Sequence, residues 1–143
     1  MKRAIVAFVA GLFTWLIVIS LINRMLRLSL AGYAAAEPLL TFTLGMMAAR
    51  LTMAAATSLI AGAVVGLVAP TNKRVPWILG AVLLIVFIPI HVRLWNALPI
   101  WYHLTFLIPL APLTALGAWL ASRSWADGRS AQTATSPRSA NLG

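Results

Sequence analysis

The chain has 143 residues, 62% of them hydrophobic and only 9% charged, against roughly 25% charged in an ordinary soluble domain. A chain this apolar has too few polar residues to cover a water-facing surface, and it lacks the low hydrophobicity of a disordered one. The net charge of +9 would suggest nucleic acid in a soluble protein. Here the basic residues stand singly or in pairs between apolar runs, the pattern that orients membrane helices. The expected partner is therefore the lipid bilayer, with no nucleic acid.

A spanning helix needs about 20 mostly apolar residues to cross a core of roughly 30 Å. Ala4 to Ile22 is the first such run, with Lys2 and Arg3 before it and Asn23 and Arg24 after it. It exceeds the usual h-region of about 7–15 residues, and Arg24 and Arg27 separate it from the small residues Ala34 to Ala36, so an uncleaved first span is expected.

The second apolar stretch, Pro38 to Ala69, is too long for one simple span and is divided by Arg50. Leu51 to Ala69 alone is long enough to cross. That leaves Arg50 at an edge, where it can snorkel to the interface, and leaves Leu39 to Ala49 to extend the helix or lie along the interface; the alternative is one strongly tilted helix with Arg50 buried.

Thr71, Asn72, Lys73 and Arg74 form a polar turn between Pro70 and Pro76. The third span is predicted from Trp77 to about Ile90, a loop over Trp95 to Pro99, and the fourth span from Trp101 to about Ala121. From Ser122 the composition turns polar. The expected organisation is thus an all-α integral membrane bundle of four helices over residues 1–122 and a disordered, basic cytoplasmic tail over 123–143.

Four spans put both termini on one side, with Lys2, Arg3, Lys73, Arg74, Arg123, Arg129 and Arg138. Arg24, Arg27, Arg50 and Arg93 lie at the other. The positive-inside rule makes the more basic side cytoplasmic.

The chemical inventory is short. With no cysteine, disulfides, thiolate metal sites and dithiol exchange are excluded. Asp127 falls in the tail, so Glu37 is the sole carboxylate near the apolar part, and paired-carboxylate catalysis has no second member. No H-E-x-x-H, G-x-S-x-G or phosphate-loop pattern occurs. Neither a catalytic residue nor a metal site is assigned, no cofactor is expected, and the protein is read as a non-enzyme.

Four features remain as candidates. Ala54, Ser58, Gly62 and Gly66 recur every fourth residue and form a small-residue stripe that lets another helix approach closely, either in this bundle or in a second chain or copy. Glu37, alone among the outer arginines, is expected to form an ion pair, with Arg50 as the named partner. His91, Arg93, Trp95, Trp101, Tyr102 and His103 cluster at the outer ends of spans three and four. They read first as an interfacial belt. His91 and His103 are also candidates for haem ligation, or with Arg and Tyr for a quinone head group. Finally, Pro109 and Pro112 are expected to kink the fourth span and to free the carbonyls of Thr105 and Ile108.

The segments Gly32 to Pro38, Met46 to Leu51 and Pro99 to Leu104 resemble those of small uncharacterised four-span proteins of the bacterial inner membrane. The resemblance covers residues 1–122. It implies that membrane and four helices, and it implies no activity. The leading functional expectation is an accessory or assembly subunit acting through helix contacts, with a possible homo-oligomer or membrane-protein partner on the second span. A small channel or transporter using Arg50, and a haem- or quinone-binding redox component, are the alternatives.

Overall fold

A computed structural model describes residues 1–135, with side chains described through residue 125. In chain order the helices are α1 (Lys2–Ser29), α2 (Tyr33–Leu39), α3 (Leu44–Val68), α4 (Arg74–Arg93), α5 (Ile100–Leu107) and α6 (Leu110–Thr135). Four stretches are long and apolar enough to cross a membrane: α1, α3, α4, and α5 with the first part of α6. There is no strand among the described residues. The all-α bundle with four candidate spans is therefore the architecture.

Helix ends follow local chemistry. α1 runs past Ile22 to Ser29, because nothing between Asn23 and Leu28 breaks a helix; its last two turns carry Asn23 and Arg27 beyond the apolar run. Gly32, at φ +77°, turns the chain into α2, a left-handed conformation that glycine adopts without a Cβ penalty. α2 ends on Leu40 at φ 56°. The Leu40 and Thr41 amides reach back to the Glu37 and Ala36 carbonyls, closing the end as a Schellman turn does. Thr43 then caps α3, its hydroxyl accepting from the Met46 amide at 3.3 Å. This cap starts the helix at Leu44, so Leu44 to Ala49 extend α3 and Arg50 lies nearly two turns inside it.

The fourth span is divided. α5 stops at Leu107 and α6 starts at Leu110, because Pro109 lacks the N–H that would bond the Thr105 carbonyl. Pro112 stands in the first turn of α6, where a helix has orphan N–H groups in any case. A further proline, Pro89, lies inside α4. α6 continues through the segment expected to be disordered, as far as Thr135; no proline interrupts residues 122–135, and the helix propagates from the span in which it is nucleated. The rest of the expected tail, 136–143, lies outside the described residues.

The bundle closes around a parallel α3–α6 pair. A Cβ added at Gly62 would collide with the Thr114 backbone, one at Gly66 with the Ala118 backbone, and one at Gly117 with the Leu59 carbonyl. Backbone therefore meets backbone, the close approach that substitutes for a hydrophobic drive between helices in lipid. α4 packs antiparallel on α6, with Gly80 against Ala111 and Thr114, and the Thr114 hydroxyl donates toward the Pro76 carbonyl at 3.0 Å. α1 lies antiparallel along α3: Gly11 meets Val65, the Trp15 indole donates to Ser58 Oγ at 3.3 Å, and Arg3 Nε donates to the Val68 carbonyl at 2.6 Å.

Ala7, Trp15, Ala61, Val65, Leu79, Leu83 and Leu110 fill the centre. Large apolar side chains such as Phe13, Ile17, Ile85 and Leu120 point outward. Among the described residues the charged side chains gather at the two ends of the bundle, as a bilayer requires.

Candidate functional site

The Arg50 end of the bundle carries a polar centre contributed by α1 to α5 and the α4–α5 loop. Asn23 and Arg27 share a face of α1, and Tyr33 and Glu37 share a face of α2, each pair four residues apart. Glu37 takes Arg27 Nε at 2.6 Å on one carboxylate oxygen. Its other oxygen accepts from Asn23 Nδ2 at 3.2 Å and lies 3.8 Å from Arg50 Nη1. The Arg50–Glu37 ion pair is thus present, with Arg27 as the closer partner.

Arg50 points inward. Its Nη1 donates to the Tyr33 hydroxyl at 2.8 Å and its Nε to the Tyr102 hydroxyl at 3.2 Å. Its guanidinium carbon lies 4.7 Å from the Phe42 ring centroid, within cation–π range. The Tyr33 hydroxyl in turn donates to Asn23 Oδ1 at 3.0 Å. A planar fork can serve two phenols and approach a carboxylate at once, which replaces the snorkelling to lipid phosphate that an edge arginine would otherwise make.

Burial raises the Glu37 carboxyl, but hydrogen bonds from Arg27 and Asn23 and the charges of Arg27 and Arg50 outweigh it and hold its pKa below the usual value. A depressed carboxyl contributes stability above its unfolded pKa, and that stability is lost as pH falls through the folded pKa. Thermal unfolding in mild detergent should therefore show a fall in Tm that sets in below about pH 4.3, the ordinary glutamate value. Glu37→Gln should start lower at neutral pH and lack that fall; an unchanged acid profile would show that the carboxylate contributes nothing. Burial pushes the Tyr33 phenol up, against the charge and hydrogen bond of Arg50, so it stays neutral at pH 7.

Just beyond Tyr102 the two histidines meet. Their Nδ1 atoms are 2.8 Å apart, and both rings are buried, at 4% and 0% exposure for His91 and His103. One Nδ1 carries a hydrogen and the other presents its lone pair, so the bond needs neutral imidazole on at least one side. His103 stacks on Trp95 with centroids 5.0 Å apart and planes at 11°. His91 stacks near-parallel to Tyr102 and packs on Phe106 with centroids 4.6 Å apart. His103 Nε2 is buried without a hydrogen-bond partner.

The contact leaves no room for a metal ion between the two Nδ1 atoms. An iron held by two imidazoles from opposite sides would separate the ligating nitrogens by about 4 Å, twice a metal–imidazole bond of roughly 2 Å. These nitrogens touch each other. No group of three or more His, Cys, Asp or Glu able to hold a metal occurs among the described residues.

The structure brings together Glu37, Arg50, His91, Trp95, Tyr102 and His103, and leaves Arg93 and Trp101 exposed. Ala54, Ser58, Gly62 and Gly66 are all buried on α3, the glycines against α6. Pro109 borders a crevice of ≈310 Å³ with Thr52, Ser58 and Thr105. Asn23, Tyr33 and Phe42 are members of the centre that sequence reasoning missed. The i, i+4 pairs Asn23/Arg27 and Tyr33/Glu37 were the available signal. No protein-family model, curated protein or solved structure matches this chain.

Proposed function

We propose that this chain is a multi-pass protein of the bacterial inner membrane, with both termini cytoplasmic, that catalyses no reaction and serves as an accessory or assembly subunit. Lys2, Arg3, Lys73, Arg74 and Arg123 stand at the end of the bundle away from Arg50, which supports that orientation by the positive-inside rule. The bacterial membrane rests on the resemblance of its three short segments.

One observation carries the functional reading: the bridging polar side chains of the Arg50 end are engaged with one another rather than lining an opening. Glu37, Arg50, Tyr33, Tyr102 and the histidine pair join five helices into one fixed end. Beneath them Trp15, Phe87 and Phe106 pack as tilted rings, with centroids 5.1 Å apart in each step. What such a protein offers a partner is surface. The small-residue stripe is taken up within the bundle, its glycines by α6 and Ser58 by Trp15 of α1, so a partner or second copy would meet the outer face of α1 or the α4–α5 loop.

Photoreactive residues placed at Ile17 on α1 and at Asn96 in the loop test this in living cells. The expected result is a discrete adduct with another membrane protein, or with a second copy, at one of the two positions. Adducts with lipid alone at both would overturn the reading.

A second reading, passage of a small solute, is favoured by the break at Pro109 beside the ≈310 Å³ crevice, since discontinuous helices line many transporter sites. Flux into proteoliposomes that falls on Thr105→Val would favour it.

A further inference from the structure

We propose that a recess at the Lys73 end of the bundle binds the headgroup of an anionic phospholipid. The recess, of ≈300 Å³, lies between the end of α3, the start of α4 and the middle of α6. Gly66 and Ala118, which meet backbone to backbone, line it together with residues of the Pro70–Pro76 turn. That volume is at the lower end for ligand pockets. It suits a phosphate headgroup with its glycerol and the first carbons of a chain, not a whole lipid.

Its lining has the two chemistries such a ligand needs. Trp77 and Trp119 supply indole walls, each about half exposed, and Lys73 supplies an exposed ammonium. The Arg123 guanidinium lies 4.0 Å from the Trp119 ring centroid, adding a second cation beside the same wall. Glu37, the only acid whose side chain is described, is at the opposite end of the bundle.

Tryptophan and lysine at a membrane interface need no ligand in themselves. The recess is the feature that such a belt does not require. An unfilled space at headgroup depth in a bilayer takes up either water or lipid, and basic pockets between spanning helices hold acidic headgroups through this combination of charge and shape. The proposal concerns the end away from Arg50 and stands or falls independently of the accessory-subunit reading.

The test is native mass spectrometry of the full chain released from nanodiscs of phosphatidylglycerol and phosphatidylcholine in equal amounts. The wild type is expected to retain one phosphatidylglycerol in preference to phosphatidylcholine. Lys73→Gln and Arg123→Gln, both exposed positions, should each lower that preference about fivefold. Ala115→Leu, which fills the recess without changing charge, should lower it too, and Arg24→Gln at the opposite end should leave it intact. Equal retention of the two lipids would overturn the proposal. So would a preference that survives Lys73→Gln with Arg123→Gln, or one that Arg24→Gln lowers as much.

Discussion

Gly62→Val is expected to separate α3 from α6 and to cost about 3 kcal/mol or more, above the usual 1–3 kcal/mol of overpacking. The reason is what the new side chain meets. A Cβ at position 62 runs into the Thr114 carbonyl, which belongs to a helix backbone and cannot rotate aside as a side chain can. Relief requires moving α6, and α6 is also held against α3 at Gly66 and, through its own Gly117, at Leu59, and against α4 at Gly80. Gly45 supplies the internal control. A Cβ there has only the Thr43 hydroxyl oxygen nearby, at 4.0 Å, so Gly45→Ala should be neutral or stabilise slightly through helix propensity. Unfolding in a graded detergent or denaturant series, read by circular dichroism, measures both. Equal stability of the two variants would contradict backbone contact at Gly62.

Arg50→Leu is the second large effect, an expected loss of about 2–4 kcal/mol. Hydrogen bonds to a charged group contribute roughly 1.5–3 kcal/mol each, and Arg50 makes two. Relief of its own desolvation offsets part of that. Tyr102, 3% exposed, would be left with a buried hydroxyl and no donor facing it. Glu37 would keep Arg27 and Asn23, so the acid end of the network should survive while the link to α5 is lost. Arg50→Lys should recover only part of the stability, because a single ammonium cannot present the fork that reaches both phenols. Arg93→Leu, at the same end but exposed, should fall within about 0.5 kcal/mol of wild type. A double-mutant cycle of Arg50→Leu with Tyr102→Phe should show a coupling of about 1 kcal/mol or more; additivity would mean that the two side chains act independently.

Much of the architecture was legible because it depends on composition and length. Four apolar runs separated by Arg24, Lys73–Arg74 and Arg93 leave few ways to thread the chain. The helix ends were less legible. Asn23 to Ser29 reads as the polar end of a span, yet it contains no residue that stops a helix, and its two extra turns place Asn23 and Arg27 opposite Glu37.

The centre itself was visible only in pieces. The histidines were expected at similar depth, and the structure brings them into direct contact. Arg50 was expected at an edge because an isolated arginine in lipid is costly. The structure supplies two tyrosines, a phenylalanine and a carboxylate, and three of these come from the short α2 region that no periodicity marks. Likewise the spacing of Gly62 and Gly66 announced a close helix contact but could not say which helix. The answer depends on the matching small residues Thr114, Gly117 and Ala118 of α6.

In the four-span reading the Arg50 end lies across the membrane from the Lys73 end, and single-cysteine labelling tests that most directly. The chain has no cysteine of its own, so one introduced at Asn96, in the α4–α5 loop, and one at Thr71, in the α3–α4 turn, can be read without background. With an impermeant maleimide on intact cells whose outer membrane has been opened, Asn96→Cys should label and Thr71→Cys should label only after the inner membrane is permeabilised. Labelling of both positions from the same side would contradict the four-span account, and labelling of Thr71→Cys alone would reverse its orientation.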